Sequence, residues 1–508
     1  MPVEAVEPAA AWTTAWPVGV ASLGLIVGLW LARRELRPPR GWLLPALSVT
    51  LVALLVRFLW LPVLSAHVFD GHEADYVEFF AGLREPTRGG TVLYPAMQWC
   101  YWLAGKALTG PGWLLVISAG AGLASIAGAA GLASRLFGGR AALWTALLLA
   151  LYGNHAFWSS SAYNVMIPLA LSTLALWALL RAGQGGSLGW SVLAAAAGVL
   201  AVATRLESAA MAVPALLILL RWPPRPLSRS VPVLAAGVVL GLAAVAPLVF
   251  PGGMPGEGEG SFMWPVNVGM LDYLVPWAGA WLLPLVVLAW LPAPGPGDRL
   301  RRVGLDRWGV ATMLAWAVAV HLVMASFDDY GYRHALPAGV ALAVLAGGAV
   351  GALRRWPALV VGGALMLVQV GQTRQVASLY YASEEAFVAA LPAELPRLPV
   401  EDRPACALIS EESRVVGEQQ LSHFNLLDPV EAARVRAQGG GCLQWCPDVQ
   451  DWRWTSRGVR DRALRLQHLY PTRPVAVLEH RESGYACLLL ELGERRGVTD
   501  GWFAPVRW

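Results

Sequence analysis

Residues 42–65, WLLPALSVTLVALLVRFLWLPVLS, run straight into His67-Val68-Phe69-Asp70-Gly71-His72-Glu73-Ala74-Asp75-Tyr76. The first stretch is long and apolar enough to cross a bilayer, which takes about 20 residues at 1.5 Å each. The second packs the carboxylates of Asp70, Glu73 and Asp75 and the imidazoles of His67 and His72 together just beyond it. Clustered acid is costly beside lipid and is seldom kept there without a use. The fold follows from the apolar run, and the chemistry from the side of the membrane on which the cluster falls.

The 508-residue chain is 56% hydrophobic and only 14% charged, with a mean hydropathy of +0.51. A soluble protein carries about 25% charged residues. Apolar stretches of roughly 15–23 residues recur from about Trp16 to Gly371 and read as transmembrane helices. From Gln372 to Trp508 the chain turns to Arg, Glu, Asp and Gln, with no spanning segment. The expected fold is mainly α: a polytopic transmembrane helix bundle at 1–371, then a small external α/β domain at 372–508. The net charge of +4 is small, and no basic stripe suggests a nucleic-acid partner. The N-terminus lacks a basic n-region and a cleavage site, so the first apolar run is expected to be a retained helix.

The loops sort by charge. The stretches 33–37, 135–140, 181–186, 221–229, 299–307 and 354–355 are basic or small, whereas 70–78, 154–164, 251–272 and 326–332 are not. Basic loops stay cytoplasmic, which puts the acidic cluster outside, in a plasma (inner) membrane protein whose C-terminal domain is periplasmic. Helices are expected near 17–32, 42–64, 112–134, 141–157, 164–180, 187–203, 208–220, 231–249, 275–292, 308–325, 337–353 and 357–370, about twelve spans. The apolar stretch 92–109 would reverse every later basic loop if it spanned, so it is expected to be interfacial or re-entrant.

The external loop after the second helix offers Asp70, His72, Glu73, Asp75 and Glu78. A carboxylate at a membrane–water boundary can act as a general base, or Asp70 can bind a divalent cation with His72. A solvated, capped loop is the plainer reading, and Asp75 and Glu78 lean to it. Arg205 and Glu207 fit a structural ion pair or an anionic head group on Arg205. Arg333 and His334 are basic on the outer side, against the charge rule. Arginine suits phosphate because its fork gives two parallel bonds; pairing with Asp328 or Asp329 is the alternative. The Gly-rich stretch 252–260 has no P-loop lysine, and nucleotide binding is not expected. The turns 152–155 and 159–164 offer hydrogen-bonding groups but no triad.

In the tail, 405–410, 474–479 and 485–491 read as strands, and 383–395, 413–427 and 429–438 as helices. Four of the five cysteines lie there, Cys406, Cys442, Cys446 and Cys487. In an external domain an even count favours disulfides. Cys406 with Cys487 and Cys442 with Cys446 are candidate pairs; zinc is the alternative.

Several features together resemble the GT-C superfamily of polytopic glycosyltransferases, above all the bacterial relatives of protein O-mannosyltransferases and aminoarabinose transferases. The resemblance covers roughly residues 42–380. Asp70-Gly71-His72-Glu73-Ala74-Asp75-Tyr76 is similar to the family's Asp-Glu-Ala-x-Tyr motif. Tyr94-Pro95-Ala96-Met97 falls near the family's Pro-rich start of an interfacial helix. Arg135-Leu136-Phe137-Gly138-Gly139 stands at a cytoplasmic turn, and Tyr332-Arg333-His334-Ala335-Leu336-Pro337 opens a late helix. The chain departs from the motif at His72, where the family has Asp; Glu73 aligns with the following Glu. Either Asp70 takes over the missing acid or the chemistry is altered.

The resemblance implies an inverting glycosyltransferase with a polyprenyl-phosphate-linked sugar donor that arrives through the membrane lipid. The acceptor would be a protein, a glycolipid or a polysaccharide. Asp70 or Glu73 would be the base, with His72 as orienter or metal ligand, and Arg205, Arg333 and His334 would bind the donor phosphate. A divalent cation is the one cofactor to consider. The rivals are a transporter or flippase for a lipid-linked saccharide, which would place charge at mid-membrane, and a non-catalytic envelope assembly subunit.

Overall fold

The computed structural model of the protein describes residues 8–35, 43–58, 69–70, 76, 79–81, 95–108, 112–160, 165–224, 227–249, 305–325 and 335–377, and in the tail 407–409, 414–416, 419–421, 440–445, 472–480 and 485–492. Two compact units divide the chain. The first is Met1–Leu61, Tyr76–Phe327 and Tyr332–Val376; the second is Pro62–Asp75, Asp328–Gly331 and Ala377–Trp508.

The first unit is helical: α1 Pro8–Ala32, α2 Leu43–Phe58, α3 Pro95–Ala107, α4 Gly112–Phe137, α5 Gly139–Leu151, α6 Gly153–Trp158, α7 Met166–Gly183 and α8 Leu188–Thr204. A 3-10 turn at Leu206–Met211 leads into α9 Ala212–Arg221, followed by α10 Leu227–Val249, α11 Arg307–Ala325, α12 Leu336–Ala352 and α13 Arg355–Ala377. Among the described residues, α4 and α7 are the helices long and apolar enough to cross a membrane. The helix expected at 275–292 lies outside the described residues. The single helix expected at 141–157 is two helices, because Tyr152 is extended at φ −64, ψ 112. The break allows Asn154, His155 and Ser159 to turn into the interior, where all three are buried.

Faces follow the helical period. On α2, Leu44, Leu47, Leu51 and Leu55 are exposed, at 75%, 59%, 58% and 53%. The opposite stripe, Val49, Ala53 and Arg57, is buried. Exposed apolar stripes recur on α10 (Val238, Val239, Leu242) and α13 (Val360, Leu367). In water such surface would drive aggregation; beside hydrocarbon chains it is the outer wall. α12 is the reverse, buried continuously from Ala338 to Val350. It packs on α5, α4 and α11, as an all-round apolar helix must. Its contact with α5 is through glycine: a methyl on Gly351 would stand 2.8 Å from the Ala141 nitrogen, and one on Gly347 2.7 Å from that of Thr145.

The basic turns meet at one end of this unit. Gln184 Nε2 reaches the Arg135 carbonyl at 3.5 Å, and Arg140 Nη2 donates to the Leu353 carbonyl at 2.9 Å. Glu35, just past α1, ties that helix to the α7–α8 turn. Its carboxylate accepts from Arg181 Nη2 at 3.0 Å, Trp190 Nε1 at 2.9 Å and the Ser187 N–H at 3.2 Å. The grouping is the one expected of turns kept on one side by their charge. Between α4 and α5 the chain turns on Gly138, whose φ of 93 is open to glycine.

In the second unit the described residues are strands: β1 Phe69–Asp70, β2 Ala407–Ile409, β3 Arg414–Val416, β4 Gln419–Leu421, β5 Gly440–Trp445, β6 Thr472–His480 and β7 Tyr485–Leu492. One sheet has the order β1-β3-β4 and the other β2-β5-β7-β6. The helix expected over 413–427 is replaced in its first half by the antiparallel pair β3–β4, with Val416 opposite Gln419. Val415 and Val416 favour a strand, and Gly417 heads a two-residue connection, a hairpin signal. The helices expected at 383–395 and 429–438 lie outside the described residues. β6 is an edge strand, so it tolerates Pro474, where the register slips.

Glu35 yields a pH prediction. Burial opposes its ionisation, but hydrogen bonds from Ser187 and Trp190 and the Arg181 charge outweigh this and hold it below its ordinary 4.5. Its stabilisation is therefore complete above the unfolded value and lost as pH falls through the lower folded one. Thermal melts from pH 7 to pH 3 should show wild type losing an increment below about 4.5 that Glu35→Gln lacks throughout, roughly 1–2 kcal/mol for a partly exposed cluster. A wild-type curve parallel to that of the variant would remove the clip.

Of the tail cysteines, Cys442 lies in β5 and Cys487 in β7, and Cys406 and Cys446 lie outside the described residues.

Candidate functional site

Of the candidate catalytic and donor-binding residues read from the sequence, Asp70 and Arg205 fall within the described structure. His72, Glu73, Arg333 and His334 lie outside it, as do Asp328 and Asp329. Asp70 belongs to β1, where its backbone is the register partner of Arg414 on β3. Arg205 caps the end of α8 and pairs with Glu207, with Nη2 at 3.0 Å and Nε at 3.1 Å from Oε1. The ion pair is thus present at this turn. Among the described residues no group of three His, Cys, Asp or Glu converges on a metal position.

The described residues that follow the acidic motif in sequence belong to the first unit. Tyr76, Phe79 and Phe80 are all buried. Tyr76 stacks on Tyr101 of α3 with ring centroids 4.9 Å apart. Gly105, one turn further along α3, lies against the Phe80 carbonyl, where no side chain would fit. At its other end, Ala96 packs with Ala203 of α8 and Val18 of α1. Residues 95–107 form a 13-residue helix, about 20 Å long, that packs on α1 and α8.

A polar cluster that the sequence reading passed over lies before the motif, in the last turn of α2. Arg57 is 4% exposed. Its Nε donates to Ser159 Oγ at 2.7 Å, Nη1 to the Ala53 carbonyl at 2.8 Å, and Nη2 meets His155 Nδ1 at 2.9 Å. His155 Nε2 lies 2.7 Å from Ser125 Oγ. Ser125 in turn donates to the Gly122 carbonyl at 2.8 Å. A guanidinium only donates, so Nδ1 must accept and Nε2 must carry the proton: the directions assign a neutral imidazole. Gly122 makes room, since a methyl there would stand 2.5 Å from Ser159 Cβ. A lone arginine inside an apolar span was the available signal, and it stands in the opening stretch of sequence.

Apolar outer walls, basic turns gathered at one end and a buried polar cluster away from that end define a multi-pass helical membrane protein. Residues 92–250 match the family model of dolichyl-phosphate-mannose-protein mannosyltransferases. The fold is similar to ArnT from Cupriavidus metallidurans. The crystal structure bound to undecaprenyl phosphate gives a TM-score of 0.50 at 17% identity, covering 89% of this chain and 98% of that one. The apo structure gives 0.51 at 17%, covering 88% and 98%. Among curated proteins none matches the sequence. The likeness to GT-C glycosyltransferases carried by the motifs at 70–76, 94–97 and 332–337 is thus met by a family model and, separately, by the fold.

Proposed function

We propose that the protein is an integral membrane glycosyltransferase that moves a sugar from a polyprenyl-phosphate-linked donor to an acceptor at the external face of the membrane. The match of residues 92–250 to a family named for a dolichyl-phosphate sugar donor carries this reading. The ArnT-like fold supports it, as does the undecaprenyl phosphate bound in that relative.

In the mechanism we infer, Asp70 or Glu73 removes the proton from an acceptor hydroxyl. The oxygen attacks the anomeric carbon from the face opposite the phosphate, and configuration inverts. The bond from that carbon to the phosphate oxygen breaks, and its electron pair leaves on the polyprenyl phosphate. Arg333 and His334, with Arg205 where its pairing to Glu207 yields, neutralise that charge. His72 orients the carboxylate, or holds a divalent cation with Asp70. The acceptor is a protein, a glycolipid or a polysaccharide, and the domain at 372–508 lies on the same external side.

Near-isosteric changes test the base. Asp70→Asn or Glu73→Gln is expected to cut transfer in membranes about 100- to 10,000-fold at matched expression and melting temperature. His72→Ala should fall between if it only orients, and match the acid variants if it holds a metal. Full transfer by the Asp70→Asn, Glu73→Gln double variant would sink the mechanism and favour a flippase or an assembly subunit.

The donor contact is tested separately. Arg333→Lys keeps the charge but loses the two-pronged fork. It should raise the KM for the lipid donor with little change in thermal stability. An unchanged donor KM in Arg333→Ala would assign the residue to the Asp328 and Asp329 loop instead.

A further inference from the structure

We propose that the arginines at the basic end of the first unit form a docking site for an anionic phospholipid, built where the α4–α5 turn, the start of α11 and the α12–α13 turn meet. The site stands apart from the glycosyltransferase reading and needs nothing from it.

The three turns are distant in sequence and are brought together by close packing. Arg140, at the start of α5, donates from Nη2 to the Leu353 carbonyl at 2.9 Å, and Arg354 and Arg355 follow directly. Phe137, the last residue of α4, lies against both α11 and α12. A methyl on Gly309 of α11 would stand 2.9 Å from its ring, and one on Gly348 of α12 2.7 Å from it. Arg135, Arg140, Arg307, Arg354 and Arg355 thus stand on elements that converge on Phe137, and all are exposed.

The charge at this corner is not answered from within. The one carboxylate on or beside these elements is Asp306. Its Oδ2 accepts the Gly309 N–H at 3.1 Å and so caps α11. Arg135, Arg354 and Arg355 take part in no ion pair among the described residues. A neighbouring turn at the same end shows the contrast, because there Arg181 meets Glu35 at 3.0 Å. Keeping a turn on one side of a membrane needs positive charge but not its convergence. Like charges drawn together repel, and an anion shared among them offsets that repulsion.

What lies beside the arginines selects the anion. Trp308 and Trp356, each next to an arginine, are 43% and 75% exposed. On α13 the exposed surface continues through Leu359 and Val360, three and four residues beyond Trp356 and so on one face. Tryptophan favours the headgroup level, and leucine and valine the hydrocarbon. A phospholipid satisfies both parts at once: its phosphate accepts from the guanidinium forks, and its acyl chains cover the α13 stripe. A free phosphate or an acidic peptide satisfies only the first.

The test is native mass spectrometry of the purified full chain, titrated with phosphatidylglycerol and, in parallel, with net-neutral phosphatidylcholine. Phosphatidylglycerol is expected to bind in preference, and the preference to fade at about 0.5 M salt. An arginine beside an anionic headgroup is worth roughly fivefold in affinity. Arg354→Gln or Arg355→Gln should therefore weaken phosphatidylglycerol binding about fivefold, and the double variant about 25-fold. Lysine at both positions keeps the charge and should stay within about fivefold of wild type. The charge-matched control, Arg221→Gln with Arg229→Gln, lies on the turn between α9 and α10 and should stay within about twofold. Equal loss in that control would reduce the effect to the general field of the basic end and overturn the site. Equal binding of phosphatidylcholine would overturn it too. Displacement of the lipid by inorganic pyrophosphate or poly-glutamate at equal concentration would assign the arginines to a soluble anion or an acidic peptide instead. If the double glutamine variant fails to accumulate, the two single variants decide.

Discussion

Lipid gives transmembrane helices no apolar reason to associate, because hydrocarbon tails are as oily as leucine. What remains is close contact and a few polar bonds. This constraint governs the first unit. At three of the main interfaces a glycine admits a close neighbour: Gly28 against Leu193 between α1 and α8, Gly128 against Thr173 between α4 and α7, and Gly347 and Gly351 against Thr145 and Ala141 between α12 and α5. Dispersion falls off steeply with separation, so contacts this close hold helices that the hydrophobic effect would leave apart. Bulkier residues at these positions would cost more here than a core substitution in a soluble protein.

Helices packed so tightly leave little room for charge between them. Charged side chains are therefore displaced to the turns, and there they serve orientation. Glu35 shows how: one carboxylate gathers Arg181, Trp190 and the Ser187 N–H, so the turn that follows α1 is joined to the turn between α7 and α8. The basic groups that fix which side a turn lies on also fasten the turns to one another. Sequence charge and tertiary contact thus favour the same arrangement, which is the consistency that makes a fold unambiguous.

That consistency explains what was legible in the sequence. Apolar length gave the helices. The stretch 92–109 contains the short helix Pro95–Ala107, which packs on α1 and α8. Legibility fails where local signals are weak or partners are distant. Strand β5, Gly440–Trp445, was missed because Gly439-Gly440-Gly441 reads as a loop, although its pairing with β2 and β7 makes it central to the sheet. The hairpin at 414–421 was hidden by flanking polar residues that suit a helix equally well. His155 read as a surface polar turn, because its partners Arg57 and Ser125 lie 98 and 30 residues away. No window of sequence contains all three.

The same distances matter for a site built on a loop. Residues that leave a rigid element and return many positions later are free to wander, and closing the loop restrains its ends far more than its middle. Productive chemistry needs groups held to about half an ångström by neighbours that are themselves fixed. In the first unit such neighbours are in place: Arg57 is held by His155 and Ser159, and His155 in turn by Ser125 of α4. Tyr76 packs on Tyr101, and Phe80 is set against a glycine of α3. Each of these side chains is itself buried, so none of them is free to drift.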